Sequence, residues 1–228
     1  MRRKFAGITF VGIGAVLILS ALLLFLYTSV TDSMKAQENR TVYETLVQIA
    51  EQNHAKTEEN LSVIPDETTD IAEEIPITQG SDTEQVSEFD IVQVDYTPMT
   101  VVRIGSFDYV GYIEIPTLAL SLPVLAESND TNLKAAPCRQ FGTPETDDFV
   151  IAGHNYRRHF ANLYQLKNND IVRFTDMDGD MTQYKIAAVQ VVDATDVEAV
   201  LDTPYDLILY TCTYSGTERT LIGCVRTE

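Results

Sequence analysis

Seven short runs of β-branched and aromatic residues follow one another from about Val101 to the end of this 228-residue chain. They read YVGYIEIP, LALSLPVL, DDFVIAGH, DIVRFTD, TQYKIAAVQVVDA, YDLILYTC and RTLIGCVR. Turn-forming residues separate them, and DMDGDMTQ at 176–183 predicts a hairpin turn. Short helices are suggested only at 129–134 and 159–166. Many short strands with few helices predict a mostly-β domain over residues 101–228, closed or nearly closed into a barrel.

The other end of the chain has the opposite character, because residues 5–27 contain no charged side chain. As a helix, such a run rises about 30 Å or slightly more, the thickness of a bilayer's hydrocarbon core. A cleaved signal peptide is the alternative, but its apolar region is normally only about 7–15 residues and ends at a small-residue site. We therefore expect residues 1–28 to be a cytoplasmic tip and a transmembrane anchor. The basic residues that precede the run favour a cytoplasmic N-terminus.

Two segments join the anchor to the β domain. Val42, Leu46 and Ile49 fall at helical spacing, which predicts a juxtamembrane helix over 29–56. Residues 57–100 are rich in Glu, Asp, Ser, Thr and Pro, as in an acidic flexible linker. Fourteen acidic residues and one lysine lie between 41 and 100, and the whole chain carries a formal charge of −18. Without a basic block, the chain is not expected to bind nucleic acid.

Three residues of the β domain can support acyl transfer. His154 ends the run FVIAGH after Gly153, Cys212 ends LILYTC, and Arg219 opens the last run. A thiolate is the nucleophilic form of cysteine and is favoured by a nearby cation. A guanidinium can stabilise the oxyanion that forms when a thiolate attacks an amide. Most domains contain one residue of each type, however, and a strand cysteine is often only a buried apolar side chain.

The order and context of these residues are more specific. AGH at a strand end, Leu-x-Thr-Cys 58 residues after the histidine, and Arg seven residues after the cysteine resemble the sortase family. Sortases are membrane-anchored cysteine transpeptidases of Gram-positive surfaces, and the resemblance covers about residues 108–228. It implies a closed eight-stranded sortase-type barrel. The family signature commonly begins with Thr, where this chain has Ile208, and this departure leaves the subclass in doubt. A short loop at Thr213–Glu218 and the lack of a clear Asp-Pro-aromatic lid motif argue against a pilin polymerase, so the B-like and D-like subclasses stay open.

The resemblance also implies roles for individual residues. Cys212 corresponds to the nucleophile, His154 to the general acid for the leaving amine, and Arg219 to the arginine that stabilises substrate and oxyanion. Thr211 occupies the threonine position before the cysteine and is expected to contact substrate. The loop from about Ala187 to Tyr205 is expected to read the sorting signal.

The implied reaction cleaves a sorting signal of the Leu-Pro-x-Thr-Gly type through a thioester. The surface protein then passes to an amino group of a peptidoglycan precursor or of a pilin. The resemblance implies a single-pass membrane protein with its catalytic domain outside the cell, and it implies no cofactor.

Two other functions are alternatives to this one. A catalytically silent β-barrel adaptor that binds the cell wall would use the same fold without forming a thioester. Papain-like and wall-remodelling cysteine hydrolases normally place the cysteine before the histidine in sequence, whereas here His154 comes first.

The remaining candidate residues are expected to have structural or incidental roles. Cys224 is predicted to pack in the barrel and Cys138 to be structural, although a disulfide between them is conceivable. His159 is predicted to lie on the surface or to cap a helix, and His54 to lie in the tether. The aspartates of 176–183 do not match the EF-hand spacing, so no metal site is predicted.

Overall fold

The structure is a computed structural model that describes residues 2–61, 99–201 and 203–227, with their side chains except those of 2–17, 27–36 and 59–61. Most of the acidic linker therefore lies outside the described residues. The described residues form three α-helices: α1 (Arg2–Leu61), α2 (Asp130–Ala135) and α3 (Glu198–Leu201). The strands are β1 (Val102–Ile104), β2 (Phe107–Ile115), β3 (Leu120–Leu125), β4 (Cys138–Phe141), β5 (Phe149–Gly153), β6 (Ile171–Asp176), β7 (Met181–Asp193), β8 (Leu207–Cys212) and β9 (Glu218–Thr227).

Eight of the nine strands form a closed barrel. The sheet order is β1-β2-β3-β4-β5-β8-β9-β7-β6, and β6 also pairs with β2, which closes the ring. β1 lies outside the ring and pairs only with the start of β2. The pairs β3–β4 and β5–β8 are parallel, and the others are antiparallel. The prediction of a mostly-β, eight-stranded barrel is confirmed.

Apolar side chains from all sides fill the barrel interior. Ile113, Ile151 and Leu209 are among the fully buried members of this core. The rings of Phe149 and Phe174 meet edge to face with their centroids 4.8 Å apart, a favoured aromatic geometry. The interior is therefore a packed core, so a substrate site has to lie on the outside of the barrel.

The C-terminal part of α1 packs against this outer surface. Leu46 and Ala50 are buried in a second apolar cluster with Tyr109, Leu125 and Met177 of the barrel domain. Two side-chain hydrogen bonds add to the contact. The Tyr43 hydroxyl donates to Glu114 at 2.9 Å, and the Asn53 amide donates to the Met177 carbonyl at 2.8 Å.

Two of our expectations about the region of helix α1 differ from the structure. It runs without a break to Leu61, so residues 57–61, which we expected in the linker, are helical. His54 lies in this helix and not in a tether, and its ring nitrogens are 3.6 Å from Glu58 and 3.6 Å from Asp180. Among the residues whose side chains the structure describes, no helix has the length and hydropathy needed to cross a membrane.

The predicted short elements are found with small changes. The helix expected at 129–134 is α2, shifted by one residue. The side chain of Asn129 caps it by accepting hydrogen bonds from the backbone amides of Thr131 and Asn132. The stretch 159–166 contains only a 3₁₀ turn, Leu163–Gln165. The turn between β6 and β7 is the predicted hairpin, in which Asp176 accepts from two backbone amides at 2.9 Å.

Candidate active site

Strands β5, β8 and β9 bring the three candidate residues to one edge of the barrel. Gly153 at the end of β5 is the register partner of Thr211 on the parallel strand β8. Cys212 is in turn the antiparallel partner of Arg219 on β9. His154 follows Gly153 directly, so residues far apart in sequence become neighbours through strand pairing.

The loop after β5 folds back over the strand end. A side chain at Gly153 would meet the ring of Phe160, because a Cβ there would lie 2.5 Å from the Phe160 Cδ2. The backbone amide of Phe160 donates to the carbonyl of His154 at 3.1 Å. Glycine therefore permits a close approach at this strand end, and that approach fixes the backbone of His154.

A second contact joins the two loops that carry the histidine and the cysteine. The amide of Asn155 donates to the carbonyl of Thr213 at 3.2 Å. On the far side, Nη1 of Arg219 donates to the carbonyl of Glu218 at 3.2 Å and to that of Gly216 at 3.4 Å. The guanidinium is therefore held by the carbonyls of its own loop.

His154, Cys212 and Arg219 line one cavity of about 440 Å³ on the outside of the barrel. Side chains alternate along a strand, so Tyr210 and Cys212 face outward while Leu207 and Leu209 belong to the barrel core. All three side chains are half-buried. The cavity thus contains a nucleophile, a titratable imidazole and a permanent cation.

Thr211 does not join them. Its side chain is buried, and by the same alternation it lies on the opposite face of β8 from Cys212. It is not among the residues that line the cavity. Its position therefore does not support the expected contact between its side chain and substrate.

Comparison with known proteins agrees with this arrangement. Residues 113–227 match the Sortase domain family. The chain belongs to the sortase family. It is 29% identical over 137 residues to a sortase A of Bacillus anthracis, a match that covers 58% of this chain and 65% of that protein.

Solved structures with the same family name are also similar. Sortase A from Corynebacterium diphtheriae is 26% identical, with a TM-score of 0.49, and the match covers 54% of this chain and 62% of that one. A sortase D5 transpeptidase of Clostridium perfringens is 22% identical, with a TM-score of 0.47, over 53% of this chain and 79% of that one. This chain thus spans just under two thirds of the length of the two sortase A proteins that it matches.

Within this sortase domain, the environment of His154 favours the neutral imidazole. Burial lowers the pKa of His154, the positive charge of Lys134 lowers it further, and Asp130 opposes the shift. At neutral pH the ring is therefore mostly unprotonated. It can accept a proton from a neighbouring acid before it donates one.

The three cysteines have different surroundings, and all three are free. Cys212 is half-buried in the cavity, whereas Cys138 and Cys224 are fully buried. Burial raises the pKa of Cys138 to about 12 and also raises that of Cys224. These two thiols are therefore protonated packing groups, as expected, and the disulfide that was conceivable between them is not formed.

His159 is placed differently from our expectation. It is buried, and not on the surface, because the loop after β5 turns its side chain inward. Its Nε2 lies 3.1 Å from the carbonyl of Ala135. The neighbouring Arg157 is exposed, and Arg158 lies over the ring of Tyr156, 5.3 Å from its centroid.

The segment between β7 and β8 covers one side of the cavity. Val197, Val200 and Leu201 line it, and this segment is the later part of the loop expected to read the signal. The earlier part, residues 187–193, belongs to strand β7.

No sequence motif indicates Gln140, which lines the same cavity and accepts a hydrogen bond from the Tyr210 hydroxyl at 3.2 Å. Its position depends on the pairing of β4 with β5, which no motif marks. In the described part of the chain, no cluster of three or more His, Cys, Asp or Glu residues could hold a metal ion.

Proposed function

We propose that this sortase domain is a cysteine transpeptidase that cleaves an LPxTG-like sorting signal and transfers the surface protein to an amino group. The observation that carries the proposal is the single cavity lined by Cys212, His154 and Arg219. These residues supply the nucleophile, proton carrier and oxyanion-stabilising cation that acyl transfer through a thioester requires.

The first half of the reaction forms the thioester. His154, neutral at neutral pH, accepts the thiol proton of Cys212, which gives a thiolate and an imidazolium. The thiolate attacks the carbonyl carbon of the threonine in the signal. As the peptide bond breaks, the imidazolium gives its proton to the departing glycine amine.

The second half reverses these roles. An incoming amine attacks the thioester and loses a proton to His154, and the thiolate of Cys212 leaves and is reprotonated. Both halves pass through an oxyanion. We assign its stabilisation to Arg219, whose guanidinium is cationic at any working pH. Nη1 of this guanidinium donates to the carbonyls of Glu218 and Gly216, and these bonds hold the side chain at the wall of the cavity.

The expected donors are surface proteins with a C-terminal sorting signal, and the expected acceptor is a peptidoglycan precursor or a pilin amine. The apolar side chains of Val197, Val200 and Leu201 suit the leucine and proline of such a signal. The B-like or D-like subclass remains part of this proposal.

We further propose that residues 5–27 anchor the protein in the cell membrane, with the N-terminus cytoplasmic and the catalytic domain outside. The uncharged sequence supports this proposal. The described helical residues 18–26 also carry seven large apolar side chains that are 51–70% exposed. Extraction of membranes with carbonate tests the anchor: the protein should stay with the membrane, and its release into the soluble fraction would contradict the proposal.

The activity is tested with a fluorogenic sorting-signal peptide. Cys212→Ala should abolish cleavage, whereas Cys138→Ala, which changes a buried thiol outside the cavity, should retain it. Full activity in Cys212→Ala would contradict the assignment.

Hydroxylamine separates the enzyme from the adaptor alternative, which gains no support from the described residues. An enzyme that forms a thioester converts the peptide to a hydroxamate, and an adaptor binds wall fragments or surface proteins without producing one.

A further inference from the structure

The imidazole of His154 lies against an aromatic side chain to which no role has been assigned. The rings of His154 and Tyr156 have centroids 4.7 Å apart and planes inclined by 31°. That is the separation of a stacked aromatic pair. Tyr156 is half-buried and lies outside the barrel core. It therefore contributes to the setting of His154 more than to the packing of the fold.

Tyr156 also contacts the buried His159. The centroids of these two rings are 5.5 Å apart, with planes inclined by 43°. The backbone amide of His159 donates to the carbonyl of Tyr156 at 2.8 Å, which closes a tight turn. Three rings thus lie in sequence from the cavity toward the barrel surface that α1 covers.

Helix α1 contacts the far end of this series. The amide of Asn39 donates to the carbonyl of Ala135 at 3.1 Å, and the same nitrogen lies 3.5 Å from Nε2 of His159. Nε2 of His159 is itself 3.1 Å from that Ala135 carbonyl. Asn39, Ala135 and His159 therefore form one polar cluster that joins α1 to the loop carrying His154.

We propose that Tyr156 is a positioning residue for His154, and that Asn39 of α1 secures this arrangement through His159. A functional side chain works only when its orientation is fixed by packing and by hydrogen bonds from its neighbours. The stack fixes the plane of the imidazole, and the polar cluster fixes the stack. On this account, docking of α1 contributes to catalysis as well as to stability. The kinetic part of the inference rests on the proposed function, in which His154 moves the proton.

The first test follows the His154 imidazole itself by NMR in the full-length protein. Tyr156→Ala removes the ring and admits water, so the titration midpoint of His154 should rise toward its ordinary value and its ring-proton resonances should move. Tyr156→Phe keeps the ring and should keep both. Both variants keep the other charged or titratable groups near His154, which are Asp130, Lys134, Asp193, Asp196, Tyr210, Cys212 and Arg219. Arg158 and His159 contact the Tyr156 ring itself; Tyr156→Ala removes these two contacts, whereas Tyr156→Phe keeps them.

Kinetics with the sorting-signal peptide supply the second readout. Misplacement of a catalytic group by about 1 Å can cost roughly 100-fold in rate. We expect kcat to fall about tenfold in Tyr156→Ala with KM unchanged, and to stay within about twofold of wild type in Tyr156→Phe. Tyr156→Gln is a second variant of similar length without an aromatic ring, and it should behave like Tyr156→Ala.

The link to α1 has a matched control on the same helix. Asn39→Ala and Asn53→Ala each remove one hydrogen bond from an α1 asparagine to a carbonyl of the barrel domain, that of Ala135 or of Met177. Asn39→Ala should shift the His154 resonances in the direction seen in Tyr156→Ala. Asn53→Ala should leave them unchanged.

Each possible result has a defined meaning. An unchanged His154 resonance and titration midpoint in Tyr156→Ala would overturn the positioning role. Equal effects of Asn39→Ala and Asn53→Ala on the His154 resonances, or no effect of either, would overturn the link to α1. If the wild type cleaves no peptide, the proposed function fails, but the NMR comparison still decides whether Tyr156 and Asn39 position the imidazole.

Discussion

Gly153→Ala tests whether the close approach of Phe160 to the end of β5 holds His154 in place. The added Cβ would lie 2.5 Å from the Cδ2 of Phe160, whereas ordinary contacts begin near 3.4 Å. The ring or the strand end must therefore move by about 0.9 Å. Phe160 is fully buried among core side chains, so its ring can yield only by displacing them.

The size of the effect follows from this geometry. Extra methyl or methylene groups in a packed core typically cost about 1–3 kcal/mol of unfolding free energy. Because the Phe160 amide donates to the His154 carbonyl, a displacement of the ring also moves the backbone of the catalytic candidate. We therefore expect kcat/KM for the sorting-signal peptide to fall about 10- to 100-fold.

Urea denaturation and peptide cleavage measure the two effects, and a double mutant separates them. Phe160→Leu alone should be destabilising, because it leaves a cavity. In Gly153→Ala/Phe160→Leu the smaller side chain makes room for the added Cβ. The double mutant should therefore lose less unfolding free energy than the sum of the losses in the two single mutants. Wild-type stability and activity in Gly153→Ala would refute the close approach. Strict additivity of the two single-mutant losses would show that contact with the Phe160 ring does not cause the loss in Gly153→Ala.

Further predictions concern the helix contact, a buried carboxyl and the thiols. Leu46→Ala should cost about 2–5 kcal/mol of unfolding free energy in urea, because the side chain is fully buried between α1 and the barrel, and exposed Gln48→Ala should be near neutral. Burial raises the pKa of Asp176, so its ionisation costs stability as pH rises through that pKa. Asp176→Asn should therefore be more stable than wild type at pH 7, with the gain disappearing toward pH 3; a constant gain would contradict this. Iodoacetamide should alkylate Cys212 in the folded protein and reach Cys138 only after unfolding, as judged by mass spectrometry; early labelling of Cys138 would contradict its burial.

The barrel could be predicted because most of its strands carry a strong local signal. Runs such as FVIAG and LILYTC are short, β-branched or aromatic, and bounded by turn residues. The 3₁₀ turn at Leu163–Gln165 was harder to predict, because a helical pattern over only the eight residues 159–166 does not distinguish an α-helix from a 3₁₀ turn.

The docking of α1 was not predicted, since helical spacing in 29–56 indicates a helix but not its partner. The structure of strand β2 shows why this barrel needs a helix on its outer surface. Its residues from Tyr109 to Ile113 are all buried, without the alternation of a strand that has one solvated face. An apolar run of this kind requires a cover on its outer face, which α1 supplies here.

The candidate site residues could be predicted from the order of their motifs, but the residues that surround and position them could not. His154, Cys212 and Arg219 carry distinctive chemistry in a distinctive order. Tyr156 and His159 lie in a loop whose polar and basic neighbours suggested exposure, and only the return of Phe160 onto Gly153 turns His159 inward. That return depends on tertiary packing, for which the local sequence has no pattern.

The central claim is that the cavity containing Cys212, His154 and Arg219 forms a covalent intermediate with a sorting signal. Intact-protein mass spectrometry after rapid acid quenching, followed by peptide mapping, tests it most directly. We expect an acyl adduct of the signal on Cys212 that is absent from Cys212→Ala and disappears when an amine acceptor is added. An adduct on Cys138, or turnover of the peptide with no adduct at any cysteine, would contradict the claim.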